Sequence, residues 1–196
     1  MARLSNMGWR ELINVYPRFK EYLTRFSYGY DDVHKKFLLS LIRSVPFFSH
    51  RSIKTQYLHE LVFLLRPSTL DHGTTILKPE DEINSIIFVT SGCIEVITWF
   101  EGYEFILERL YSGSVVNFRN FFMGDHSYVG LRSGHGGCKI LELTLQTFDD
   151  FCSEHAAFDK AMMIFSDRLL REENKFPLDY ISVTPKERKP NTISTQ

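Results

Sequence analysis

Apolar residues recur at helical spacing through the first quarter of the chain, fall into short β-rich runs through its middle, and return to helical spacing near its end. Trp9, Leu12, Ile13 and Tyr16 share one helical face, and Phe19, Tyr22, Leu23 and Phe26 extend it past Pro17, which suits the first turn of a helix. Gly29 breaks the pattern. Asp31 and Asp32 then stand in N-cap positions before Val33, Phe37, Leu38, Leu41 and Ile42, so a second helix is predicted up to Pro46. A third is predicted over 53–65, with Tyr57, Leu58, Leu61, Leu64 and Leu65 on one side and Pro67 beyond its end.

Between Thr69 and Thr144 the pattern predicts strands at 74–77, 85–90, 93–99, 103–110, 114–118, 128–132 and 139–144. Turn residues separate them: Gly73, Pro79-Glu80-Asp81, Ser91-Gly92, Glu101-Gly102, Ser112-Gly113 and Gly134 to Gly137. Strands this short, with a turn signal at every break, point to a sandwich or barrel and away from a parallel α/β sheet. Two helices follow, a short one over 145–155 and a longer one over 156–174 with Phe158, Ala161, Met162, Phe165 and Leu169 on one face. Past Pro185 the chain is polar and is predicted to be disordered.

Composition narrows the class. A chain of 196 residues accommodates one domain with a helical extension. Its formal net charge of −1 removes any bulk argument for nucleic acid or an anionic membrane as partner. Cys93, Cys138 and Cys152 are isolated and odd in number, which suits a reducing compartment. The first ten residues lack an apolar signal core, and no apolar run approaches the ~20 residues that span a bilayer. The expectation is a soluble polypeptide, either free or cut from a membrane protein. The seven histidines include no His-x-His pair, so a metal-holding β-barrel site is not expected. No serine or cysteine stands in a nucleophile motif, and no catalytic residue is expected. Gly134-His135-Gly136-Gly137 joins two predicted strands instead of leading into a helix, so it is a flexible turn and not a phosphate loop.

Helices, strands and helices in this order, with glycines at the strand turns, resemble the cyclic-nucleotide-binding domain family. The resemblance rests on Ser44-Val45-Pro46-Phe47-Phe48, on Gly73 with Ile76, and on Ile87-Phe88-Val89-Thr90-Ser91-Gly92-Cys93-Ile94-Glu95-Val96. It continues through Leu110-Tyr111-Ser112-Gly113-Ser114-Val115-Val116, Cys138-Lys139-Ile140-Leu141-Glu142-Leu143 and Phe148-Asp149-Asp150-Phe151. It implies an α+β architecture: an antiparallel β jelly-roll with N-terminal linker helices and two C-terminal helices. The two helices before Ser44 resemble the linker that joins the pore of a voltage-gated cation channel to its nucleotide-binding domain and assembles as a tetramer. Residues 113–123 further resemble the ciliate branch of those channels. The implied division is a helical linker over 1–48, a nucleotide-binding-type domain over 49–181 and a tail over 182–196, carried on the cytoplasmic face of a membrane. Packing of the N-terminal helices against the roll, without any channel, is the other reading.

Members of this family that bind cAMP or cGMP carry a Gly-Glu pair at the start of a short cassette helix, the glutamate on the ribose and the helix N–H groups on the phosphate. An arginine about ten residues on pairs with that phosphate. By this resemblance the pocket spans Val116, Asn117, Phe118, Arg119, Ser127, Tyr128, Val129 and Arg132. Asn117 and Phe118 stand where Gly-Glu belongs, and Ser127 or Tyr128 where the arginine belongs, so the cassette is degenerate. Arg119 and Arg132 are the nearest replacement cations. In the ether-à-go-go branch of channels, a segment after the last helix folds back and fills the pocket. Leu178, Asp179 and Tyr180 follow the long helix here, with Tyr180 placed to stand for the base and Asp179 to approach Arg119 or Arg132. Docking of this segment on the roll's outer surface is the alternative.

Three uses remain: a channel regulatory domain that senses cAMP or cGMP, one held closed by its own C-terminal segment, and a free-standing protein-interaction module. The chain lacks room for a helix-turn-helix after its long helix, so no nucleic-acid partner is expected.

Overall fold

The structure is a computed structural model that describes residues 33–171 and 179–183, together with Leu12, Val15, Tyr16 and Arg18. Apart from those four residues, the predicted face over 9–26, the segment 172–178 with Leu178, and the tail beyond 183 lie outside the described residues.

Helix α1 (Val33–Ser44) buries Leu38, Leu41 and Ile42 and stops two residues before Pro46, which opens a 3₁₀ turn (Pro46–Phe48). Proline at this N-terminal position loses no needed hydrogen bond. Phe47 and Phe48 of that turn are each 1% exposed. Helix α2 (Thr55–Leu64) buries Leu58, Leu61 and Val62. The chain then enters the sheet.

Among the described residues seven strands follow in an antiparallel arrangement: β1 (Arg66–Leu70), β2 (Thr75–Leu77), β3 (Ser85–Phe100), β4 (Tyr103–Tyr111), β5 (Val115–Val116), β6 (Gly130–Thr144) and β7 (Tyr180–Ile181). Helix α3 (Phe118–Met123) interrupts the strands, and α4 (Leu145–Glu154) and α5 (Ala156–Arg171) follow β6. The main path runs β1-β6-β3-β5-β7, with β2 on β6 and β4 on β3. This is an antiparallel β jelly-roll with helices before and after it.

Two expected turns are absent. The runs predicted at 85–90 and 93–99 form the single strand β3, and those at 128–132 and 139–144 belong to β6. The glycines between them mark bulges: the β3–β6 register shifts between Val89 and Ser91 and again between Gly92 and Ile94. Gly92 has φ +75, and a Cβ there would lie 2.2 Å from the Gly137 carbonyl oxygen. Only glycine permits that approach, so the turn-like residues bend two long strands without reversing them. Strand β1, which is not among the predicted runs, contains Pro67. Among the described residues it pairs only with β6, and an edge strand tolerates proline.

Alternation along β3 feeds two cores. Ile86 and Phe88 face the helices and join Ile42, Phe47, Phe48, Leu61, Phe148 and Phe158. Ile87, Val89, Ile94 and Val96 face the interior of the roll and join Leu110, Val116, Leu131 and Ile140. Val115 and Val116 of the short strand β5 divide in the same way, one into each core. The chain between β5 and β6 is therefore fixed on both sides.

Candidate functional site

That chain is the one the resemblance assigns to the cassette. Asn117 leaves β5 with φ 68 and ψ 9 in the left-handed region, and α3 begins at the next residue. Asparagine enters this region at less cost than most residues, so the turn that glycine would make is kept. The glutamate position is altered in kind. Phe118 is 1% exposed, lies in the helix-facing core and packs against Phe47 at 6.3 Å between ring centroids. Phe122, four residues on, stacks on Phe47 at 4.2 Å. Apolar burial fills the position where the resemblance expects a ribose acceptor, and α3 is clamped to the turn that follows α1.

The returning strand β7 runs antiparallel to β5, with Val116 opposite Tyr180 and Val115 opposite Ile181. Backbone bonds flank this pair: the Asn117 N–H donates to the Asp179 carbonyl at 2.8 Å, and the Val183 N–H donates to Ser114 Oγ at 3.0 Å. Asp179 Oδ1 accepts from the backbone N–H of Arg119 at 2.5 Å and of Asn120 at 3.1 Å. A carboxylate thus occupies the N–H groups that open the cassette helix. Burial pushes the Asp179 carboxyl up to about 7, against the two N–H bonds and the Arg119 charge, which favour its ionised form. Tyr180 packs against the roll's interior core, and its hydroxyl donates to Glu108 of β4, with burial and that bond raising it to about 12. This segment, the strap, extends the sheet at β5 and does not lie on the roll's outside.

The remaining pocket residues diverge. Arg119 meets Asp179 through its backbone. Arg132 does not approach the strap: it pairs with Glu95 at 2.8 Å and with Glu104 at 2.7 Å, on the face of β6 opposite the inward-facing Leu131. Glu95 also binds Arg109 at 3.1 Å, and the arginine bonds hold its carboxyl below the ordinary carboxylate range. Arg132, offered by the sequence as a replacement phosphate cation, thus lies in a cross-strand ion cluster. Ser127 is buried, and its hydroxyl donates to the Val129 carbonyl at 2.8 Å. Tyr128 is 65% exposed and donates its hydroxyl to Asp125. Val129 packs partly against the interior core. None of these three supplies a cation.

Asn120 went unnoticed in the sequence. It is 1% exposed, donates its side-chain amide to the His126 carbonyl at 2.7 Å and its backbone N–H to Asp179. It closes the cassette loop while presenting the strap with a donor. Nothing in its immediate sequence marks it, because its partners lie six and 59 residues away.

Among the described residues, no group of three or more histidine, cysteine, aspartate or glutamate side chains is placed to hold a metal ion, and no helix is long and apolar enough to cross a membrane.

Comparison with known proteins agrees with this architecture. Residues 67–155 match the family described as the cyclic nucleotide-binding domain. No curated protein matches the chain in sequence. Among solved structures, the regulatory domain of Toxoplasma gondii PKA with cAMP is similar at 18% identity and a TM-score of 0.53, over 63% of this chain and 46% of that one. The N-terminal domain of a Streptomyces coelicolor transcriptional regulator is similar at 19% identity and a TM-score of 0.59, over 69% of this chain and 92% of that one. A cyclic nucleotide-binding domain from Methylobacillus flagellatus is similar at 10% identity and a TM-score of 0.55, over 72% and 78%. The chain thus spans about half of the kinase regulatory structure and most of the other two. Likeness at these identities establishes the fold.

Proposed function

We propose that this is a non-enzymatic regulatory domain of the cyclic-nucleotide-binding type whose cassette is occupied by its own C-terminal strap. The observation that carries the reading is the Asp179 carboxylate on the backbone N–H groups of Arg119 and Asn120. Those groups, at the start of a helix beside a left-handed turn, suit an anionic oxygen. Tyr180, between the interior core and Glu108, adds an aromatic ring where a base would be expected. Phe118 in place of the glutamate and the engagement of Arg132 with Glu95 and Glu104 both weaken the site for cAMP or cGMP.

More finely, we read the chain as the cytoplasmic regulatory end of an ion channel, assembling as a homo-tetramer through its N-terminal helices. The support is the passage of α1 into Val45, Phe47 and Phe48, which join the core that holds the cassette helix, so movement there reaches α1. Strap occupancy and linker position are then coupled reciprocally. A free-standing interaction module is the second reading, favoured by large exposed apolar side chains on the β3–β4 hairpin.

Calorimetric titration with cAMP and cGMP tests the proposal on the full chain and on a version ending at Lys175. Silence from the first and binding by the second is the expected result. Micromolar binding by the unaltered chain would overturn it, as would silence from the truncated one.

A further inference from the structure

The near-neutral total conceals an uneven distribution of charge. Residues 33–59, from α1 into α2, hold five lysines and arginines and no aspartate or glutamate. From 60 to 171, through the roll and the helices after it, nine lysines and arginines stand against sixteen aspartates and glutamates. The cations of the first stretch converge on the corner between α1 and α2. Lys36 and Arg43, seven residues apart, share one face of α1. The Arg43 guanidinium donates to Thr55 Oγ1 at 3.2 Å, which sets it beside Lys54 at the start of α2. Arg51 lies in the turn that joins the two helices, and all four of these side chains are exposed. His59, one turn into α2, senses the same field: burial first, then the charges of Lys35 and Arg43, push its ring below its ordinary value. The first carboxylate after this stretch, Glu60, is engaged by His155 Nε2 at 2.9 Å.

We infer that the corner formed by Lys36, Arg43, Arg51 and Lys54 is a docking surface for a membrane leaflet that carries anionic lipid. Charge complementarity calls for an anionic partner, and two features favour a leaflet over a nucleic acid. Headgroups diffuse, so they meet scattered cations without a matched register, whereas sites for single-stranded nucleic acid add aromatic rings that stack on bases. No phenylalanine, tyrosine or tryptophan lies in 49–56, between the two helices. Val33 and Phe63, on the helices that carry the cations, are instead 82% and 60% exposed, and surface-binding helices combine cations with apolar side chains that enter the headgroup layer. The acidic remainder is repelled by the same leaflet, so this corner approaches it and the roll is held outward. Each cation at such a surface strengthens binding about fivefold, and four multiply to several hundredfold, a weak and reversible attachment. No cassette or strap residue takes part, so the inference stands or falls apart from the proposed function.

The test is flotation of the full chain with vesicles of phosphatidylcholine, alone or mixed with phosphatidylserine, at low and at high salt. Binding to the mixed vesicles at low salt is expected, with none to pure phosphatidylcholine and little at high salt, where surface charges are screened. Arg43→Gln, Arg51→Gln and Lys54→Gln should each weaken it about fivefold, and together about a hundredfold. Arg43→Lys should keep the binding, which separates the charge from the bond to Thr55. Lys139→Gln, a neutralisation on the roll, should leave it unchanged. The substituted side chains are exposed, so a thermal midpoint matching the parent separates lost docking from lost folding. Absence of the chain from phosphatidylserine vesicles at low salt, or binding indifferent to the triple substitution, would overturn the inference. So would binding to duplex DNA as tight as to the vesicles and lost in the same variants.

Discussion

Asp179 makes strap docking sensitive to pH in a direction opposite to that of most aspartates. Its carboxyl is raised from 3.8 to about 7, with burial outweighing the Arg119 and Asn120 N–H bonds and the Arg119 charge. Once the strap is released, water restores the ordinary value. Below about 4 the carboxyl is protonated in both states, and above about 7 it is ionised in both, so docking is independent of pH at either end. Between them docking takes up a proton, and its constant falls about tenfold per pH unit, roughly a thousandfold in all or ~4 kcal/mol. The loss is capped by the docking energy itself, because a strap that gains nothing simply detaches. The assay is the backbone amide resonances of Arg119 and Asn120, whose N–H groups bond to this carboxyl. Both should titrate with a midpoint near 7, and Asp179→Asn should abolish that titration and leave docking flat with pH. A midpoint near 4, or a titration that survives the substitution, would refute the reasoning, since burial would not then be the dominant influence.

Three further outcomes follow from the packing. Phe118→Glu, which puts a carboxylate at this position, should lower stability by ~3–5 kcal/mol in denaturant unfolding without creating nucleotide affinity, because the side chain is 1% exposed inside an aromatic core. Glu95→Gln should lower stability by about 1–3 kcal/mol above its own titration range, read as a fall in thermal midpoint, because two arginines lose their shared carboxylate. The Glu95 carboxyl is depressed, so its contribution is present above the unfolded value of 4.5 and fades as pH falls through the lower folded value. Gly92→Ala should cost about 2 kcal/mol or more in the same unfolding assay, since its φ of +75 and the 2.2 Å approach to Gly137 leave no room for a methyl group.

What the sequence disclosed follows from how local each signal is. The core faces of α1 and α2 were legible because helical periodicity depends only on neighbours along the chain, and Leu38, Leu41, Leu58 and Leu61 are buried where the period puts them. Ser91-Gly92 and Gly134–Gly137 were misread because a bulge and a hairpin turn use the same residues. What separates them is the strand opposite, and Gly92 faces Cys138, a residue far along the chain. The resemblance placed Asn117 and Phe118 at the cassette entrance, and the structure puts Asn117 in the left-handed turn there. It did not disclose that Arg132 is taken by Glu95 and Glu104, since cross-strand ion pairs depend on register and leave no local trace. Asp179 was placed near arginine side chains, whereas it meets backbone N–H groups, which are present whatever residue is named.

The strap belongs to the same chain as its pocket, and seven residues separate Arg171 at the end of α5 from Asp179. There is one strap for each pocket at every level of expression, and its departure is a unimolecular event with its own lifetime. An outside molecule therefore competes against a closed fraction and not against a concentration. If docking stabilises the closed form by ~2 kcal/mol, any competitor loses about thirtyfold in apparent affinity however abundant the protein is. On the proposed reading, a cell gains a pocket whose default state is immune to dilution, and which opens only to a ligand plentiful enough to meet that loss or to something that shifts the strap's own equilibrium.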